Sequence, residues 1–282
     1  MRKNIMMIRF VASVLIAAFS LFAFAGCDFV EGEELSTRKN YKNSSSPVSK
    51  PSQNQNGNAN GGANSNNNGK KRVALTFDDG PHNVRTKAIV DELSKYGYEA
   101  TFFVVGNRVD GKAYNGAEAL KYAYDHGNEI AIHGYTHAVY YHDCEQDRYE
   151  RELSRTYDAI KEVASGAKVR LMRPIGGNIT EARVESCPYS VIMWSVDSED
   201  WKYKGRGENG ELAEENINII VENVMSQVSS GDIILMHDIY ENTYEAAKII
   251  IERLHNEGYD LVTVSDLLNN PAAGVRYSRK GS

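Results

Sequence analysis

Val73-Ala-Leu-Thr-Phe-Asp-Asp-Gly80 is a short β-prone run that stops abruptly at two carboxylates and a glycine. From Val84 to Tyr96 apolar residues recur at helical spacing, and Gly97 ends that stretch, so the folded part opens as strand followed by helix. The same order repeats downstream. Short strands are predicted over 100–105, 129–133, 191–197, 232–237 and 260–263, with helices over 117–126, 149–163, 214–228 and 244–256, the last ended by Gly258. Strands alternating with helices of this length predict an α/β fold on a parallel sheet.

In parallel α/β folds and barrels, reactive side chains gather at the carboxyl ends of the strands. Asp78 and Asp79 follow the first predicted strand, His133 closes the third, Asp197 and Asp200 end a later one, and His237 ends the next. One rim therefore collects them all, which is more telling than any one of these residues alone.

The chain has 282 residues, 41% hydrophobic and 25% charged, enough to bury a substantial core. Its first part is of another kind. Arg2 and Lys3 precede an apolar run from Phe10 to Phe24 that is too short to span a bilayer, and small residues Ala25 and Gly26 follow, the pattern of an export signal. Phe24-Ala-Gly-Cys27 resembles a lipoprotein cleavage box, so residues 1–27 are expected to be a signal peptide with Cys27 as the lipidated first mature residue. Residues 28–70 are rich in Asn, Gly and Ser and cannot bury enough surface to order themselves. They read as a tether with a mean reach of roughly 35 Å. Residues 71–270 are expected to form the folded domain and 271–282 a C-terminal tail, on a protein working outside the cytoplasm, tethered to the cell membrane or secreted.

A net charge of −6 argues against a nucleic-acid partner. Cys144 and Cys187 could pair in an oxidising compartment, but two cysteines establish neither a disulfide nor a metal site.

His133-Gly-Tyr-Thr-His137 puts two imidazoles four residues apart, which on a helical turn would bring them to one side to share a cation. Such a pair is often only a surface or core feature. With a carboxylate from Asp78-Asp79 it becomes a three-ligand site that leaves positions open for water and substrate. One aspartate would then ligate the metal while its neighbour takes a proton. His237, at the end of the apolar run Ile233-Ile-Leu-Met236, is a candidate acid for a departing nitrogen. Arg173, Asp197 and Asp200 are candidates to orient base and acid, and Gly176 and Gly177 either present N–H groups to an oxyanion or form a plain loop.

Together these segments resemble the polysaccharide deacetylase family, also called the NodB-homology or carbohydrate esterase four family, over about residues 72–268. Thr76-Phe-Asp-Asp-Gly80 matches its first motif, which implies Asp78 as catalytic base and Asp79 as metal ligand. His133-Gly-Tyr-Thr-His137 matches the second, whose histidines bind metal. Arg173-Pro-Ile-Gly-Gly177 keeps the arginine and final glycine of the third but carries Ile175 for the usual proline and Gly176 for the usual aromatic. Gly134 likewise stands where Ser or Thr is common. Asp197-Ser-Glu-Asp-Trp201 is similar to the fourth motif, implying Asp200 as the residue tuning the acid and Trp201 beside the acetyl pocket. Leu235-Met-His237 is similar to the fifth, implying Leu235 beside the acetyl methyl and His237 as acid.

The resemblance implies a distorted (β/α) barrel of the seven-stranded type and a divalent metal, zinc by default, with cobalt, manganese, nickel or iron accepted by the same ligands. It implies metal-activated hydrolysis of acetyl from a glycan; export on a wall-length tether favours an N-acetylated cell-wall glycan, with N-acetylglucosamine of peptidoglycan as the expected sugar, N-acetylmuramic acid as another, and a monomer as the expected state. Acetylxylan esterase or chitin oligosaccharide deacetylase activity are the enzymatic alternatives. A noncatalytic glycan-binding protein and an iron(II) oxygenase are the alternatives of other classes.

Overall fold

A computed structural model describes residues 69–111, 115–207 and 209–281. The expected signal peptide, the lipidated Cys27 and nearly all of the tether lie outside these residues.

The elements run β1 (Lys71–Asp78), α1 (Arg85–Ser94), β2 (Thr101–Val104), α2 (Gly106–Val109), α3 (Gly116–Asp125), β3 (Glu129–Ile132), α4 (Gln146–Val163), β4 (Leu171–Met172), α5 (Glu181–Ser186), β5 (Ser190–Ile192), β6 (Val196–Asp197), α6 (Glu214–Met225), β7 (Ile233–His237), α7 (Glu241–Asn256), β8 (Tyr259–Leu261), α8 (Val264–Leu268) and β9 (Arg276–Tyr277). The strands form one sheet in the order β6-β7-β1-β2-β3-β4-β5-β9, with β8 beside the start of β1, and every pairing is parallel. This is the distorted barrel expected. It has more strands than seven because β4, β6 and β9 are two-residue pieces.

The strand pleat sends alternate side chains to opposite faces. On β1, Val73, Leu75 and Phe77 join the large cluster beneath the helices, together with Ile234 and Met236 of β7. The intervening residues point into the barrel, where Ala74, Phe103, Ala131, Leu171, Ile192 and Ile233 form a smaller second cluster. Val264 and Leu267 of α8 belong to this inner cluster, and Val264 N–H donates to the Thr101 hydroxyl at the start of β2 (2.9 Å). Thus α8 plugs the amino-terminal end of the barrel. In register, Ala74 lies beside Ile233, Thr76 beside Leu235, and Asp78 beside His237. The interior passes from apolar at the plugged end to acidic and imidazole at the open end.

Two expectations about the chain path need correction. The apolar stretch 191–197 is not one strand, because β5 and β6 lie far apart in the sheet order and Met193-Trp-Ser195 crosses between them. A three-residue crossing brings those two sheet regions together and nearly closes the barrel. Residues 271–282 are not merely a tail, since β9 pairs with β5 and Lys280 N–H donates to Gly231 O (2.8 Å). Cys144 and Cys187 are free thiols, with Arg183 Nη1 donating to Cys144 Sγ at 3.3 Å.

Candidate active site

At the open end, a cleft of about 430 Å³ is lined by Asp78, Asp79, His133, His137, Gly176, Trp201, Leu235 and His237, together with Tyr140, Ile175, Trp194, Asp197 and Tyr240. The sequence had singled out the first eight and Asp197. Arg173 and Asp200 lie behind this wall, both fully buried.

Asp79 Oδ1, His133 Nε2 and His137 Nε2 converge. The carboxylate oxygen is 3.4 Å from the first imidazole nitrogen and 2.8 Å from the second, and one ligand atom from each residue lies within 4.8 Å of the others. Burial alone would push the Asp79 carboxyl up, yet His133 and His137 hold it well below the usual carboxylate range. His133 Nδ1 lies 2.9 Å from the Arg173 carbonyl, which can only accept. That contact keeps a proton on Nδ1 and leaves Nε2 as the atom directed at Asp79 and available to a cation. A buried carboxylate oxygen without a hydrogen-bond partner, meeting imidazole nitrogens, fits a divalent cation.

The helical turn expected for His133–His137 is absent. Gly134 has φ +104° and His137 φ +55°, so the segment is a kinked loop. Its N–H groups turn to Glu152 of α4, whose Oε2 accepts from Tyr135 N (2.7 Å) and Thr136 N (2.8 Å) while Oε1 accepts from the Thr136 hydroxyl (2.8 Å). A carboxylate in place of helical carbonyls gives this loop its shape. Gly134 is required here, because a Cβ would meet the fully buried Tyr141 Oη at 2.4 Å, leaving no room for Ser or Thr. Glu152 was not among the sequence candidates, since it lies on a charged helix with no motif around it. Glu152→Ala is expected to weaken zinc affinity about 10–100-fold, as loss of a ligand-orienting group does, and calorimetric titration of metal-free protein measures it.

Asp78 lies on the other side of His133, its Oδ2 3.8 Å from Nε2. Arg173 Nη1 donates to Asp78 Oδ1 (2.7 Å) and Thr76 Oγ1 (2.8 Å), while Nε and Nη2 reach the Ile192 and Met193 carbonyls at 3.1 and 3.0 Å. Those carbonyls lie at the end of β5 and the start of the crossing to β6, so one guanidinium both satisfies the seam and aims the aspartate. Burial lowers the Arg173 pKa, opposed by Asp78.

Asp200 holds His237 from behind. Its Oδ1 is 2.7 Å from Nδ1, and Oδ2 accepts from the His237 backbone N–H and the Thr243 hydroxyl, each at 2.7 Å. Burial would lower the imidazole pKa, but Asp200, then Asp78 and Asp79, outweigh it and push it up to about 9. Asp197, a candidate for the same duty, instead accepts the Glu199 N–H (2.8 Å) in the turn that presents Asp200. Thr243 had no motif to mark it.

Leu235 lines the cleft wall almost fully buried, Trp201 stands exposed at its edge, and Gly176 adopts φ +59°.

The fold and this rim define an α/β barrel-like protein with a candidate cation site between an arginine-held aspartate and an aspartate-held histidine. Residues 65–190 match the family Polysaccharide deacetylase. A peptidoglycan-N-acetylglucosamine deacetylase of Bacillus cereus is 33% identical over 210 residues, covering 71% of this chain and 90% of that protein. The chain belongs to the polysaccharide deacetylase family. The peptidoglycan-N-acetylmuramic acid deacetylase PdaC of Bacillus subtilis is 37% identical over 198 residues, covering 70% of this chain, which spans only 39% of that relative's length. A family 4 acetyl xylan esterase from Clostridium thermocellum, solved with a cobalt ion, superposes with a TM-score of 0.65 at 27% identity, covering 75% of this chain and all of that one.

Proposed function

We propose that this chain is a metal-dependent deacetylase that removes acetyl groups from an N-acetylated cell-wall glycan, N-acetylglucosamine of peptidoglycan being the expected sugar. The observation that carries this reading is the flanking of one candidate cation site by two different proton carriers. Asp78 stands on one side, paired with Arg173, and His237 on the other, held protonated by Asp200. Amide hydrolysis needs both, a base for the incoming water and an acid for the departing nitrogen.

Asp79, His133 and His137 would hold the cation, with zinc the default, and when bound it supplies Lewis acidity toward the acetyl carbonyl and an acidified water. Asp78 accepts the water's proton, and Arg173 stabilises the carboxylate beforehand. His237 Nε2 hands a proton to the sugar nitrogen, its Nδ1–H kept on Asp200. Leu235 and Trp201 border the space for the acetyl group, and the Gly176 N–H faces the oxyanion. The residues before the described ones fit this work, as an exported chain lipidated at Cys27 and tethered by 28–70 would hold the domain within reach of wall polymer.

Acetate release by the domain on acetylated peptidoglycan, chitooligosaccharides and acetylxylan tests the proposal. Release from N-acetylated glycan that a chelator abolishes and zinc restores is the expected result. Release from acetylxylan alone would replace it with O-acetyl esterase activity, and glycan binding without release under any metal would make the chain a noncatalytic binder.

A further inference from the structure

Among the described residues, few large apolar side chains are left in water, and two of these, Tyr140 at 52% and Trp201 at 47% exposure, line the cleft. Exposed aromatic rings at the rim of a cleft are surfaces for a ligand. Tyr140 is presented stiffly. Its neighbours Val139 and Tyr141 are buried, Tyr141 bridges Ile179 in parallel fashion, and the Arg183 guanidinium donates to the Tyr141 carbonyl. The ring also depends on what faces it. A Cβ on Gly176 would come within 3.4 Å of the Tyr140 ring, so the missing side chain leaves the space that the ring covers. The loop after β3 thus supplies an aromatic surface that the loop after β4 does not.

We propose that Tyr140 is a specificity-determining residue that contacts substrate, its ring being the platform for a sugar adjacent to the one that carries the acetyl group. The proposal rests on the deacetylase reading above and names the form of substrate: a glycan chain, favoured over a free N-acetylated sugar. The apolar C–H face of a pyranose packs on an aromatic ring, and on this assignment a monosaccharide seated at the cation site leaves that ring bare.

The ratio of kcat/KM for chitooligosaccharide to that for N-acetylglucosamine measures the platform, read in the zinc-loaded protein for wild type, Tyr140→Ala and Tyr140→Phe. Tyr140→Ala is expected to lower this preference roughly five- to tenfold, and Tyr140→Phe to keep it within about twofold of wild type. Chitooligosaccharide affinity in chelator-treated protein, followed by calorimetry, should weaken by the same factor in Tyr140→Ala. An unchanged preference and affinity in Tyr140→Ala would overturn the proposal and leave the deacetylase reading standing. Affinity lost in Tyr140→Ala, in a protein that releases no acetate from any glycan, would support the platform while removing the deacetylase reading.

Discussion

Arg173→Met is expected to cost about 3–5 kcal/mol of folding stability, the loss typical when one partner of a buried ion pair is removed. The guanidinium is fully buried, and so nearly is Asp78. Without it the Asp78 carboxylate stays buried and unpaired beside His133, and the Ile192 and Met193 carbonyls lose their donors. Methionine refills part of the space against the Phe103 ring, which the guanidinium carbon approaches to 4.2 Å, so the loss is chiefly electrostatic rather than a cavity. Acetate release should fall by about two orders of magnitude or more, because the base is no longer aimed. Denaturant unfolding at neutral pH measures the first effect. The companion Arg173→Met/Asp78→Asn separates the two: neutralising the orphaned carboxylate should restore much of the stability while leaving the protein inactive. A double variant no more stable than Arg173→Met would show that the carbonyl seam, not the ion pair, dominates.

The parts legible in the sequence are those where chemistry and strand period coincide. Asp78 and His237 were readable because each ends an apolar run, and the pleat that buries Phe77 and Met236 under the helices turns the next residue inward. The reading failed where backbone hydrogen bonding departs from regular structure. His133 and His137 share a cation pocket, but through a positive-φ loop pinned by Glu152 rather than a helical turn. Nothing in the spacing reveals a carboxylate on the following helix. The break between β5 and β6 was hidden because Met193 and Trp194 continue the apolar run, and only Arg173 beneath them supplies the donors that let the chain leave the sheet. Gly134, which stands out as a departure from its motif, has its physical reason in Tyr141, in a loop whose fold the sequence did not disclose, and Gly176 sits at φ +59°, where a side chain is strained.

Asp200→Asn is expected to move the alkaline limb of kcat to lower pH by about one unit or more, and to lower kcat itself by up to about two orders of magnitude. His237 serves only while protonated, so activity falls as pH rises through its pKa. In the folded chain that pKa is pushed up to about 9 from an ordinary value of 6.5, with burial pulling down and Asp200 the largest influence pulling up. Asparagine can still accept from Nδ1–H but carries no charge. Burial then prevails over the more distant Asp78 and Asp79, and the limb retreats. A cation on Asp79, His133 and His137 lowers the limb in wild type and variant alike, so the difference between them survives metal loading. Stability follows the same sign. A group raised from 6.5 to about 9 contributes fully below the lower value and loses its contribution as pH rises through the upper one. Chelated wild type should therefore lose thermal stability across that window more steeply than chelated Asp200→Asn. If the alkaline limbs of the two proteins coincide, the titrating acid is not His237, and the proton for the departing nitrogen must come from another group lining the cleft.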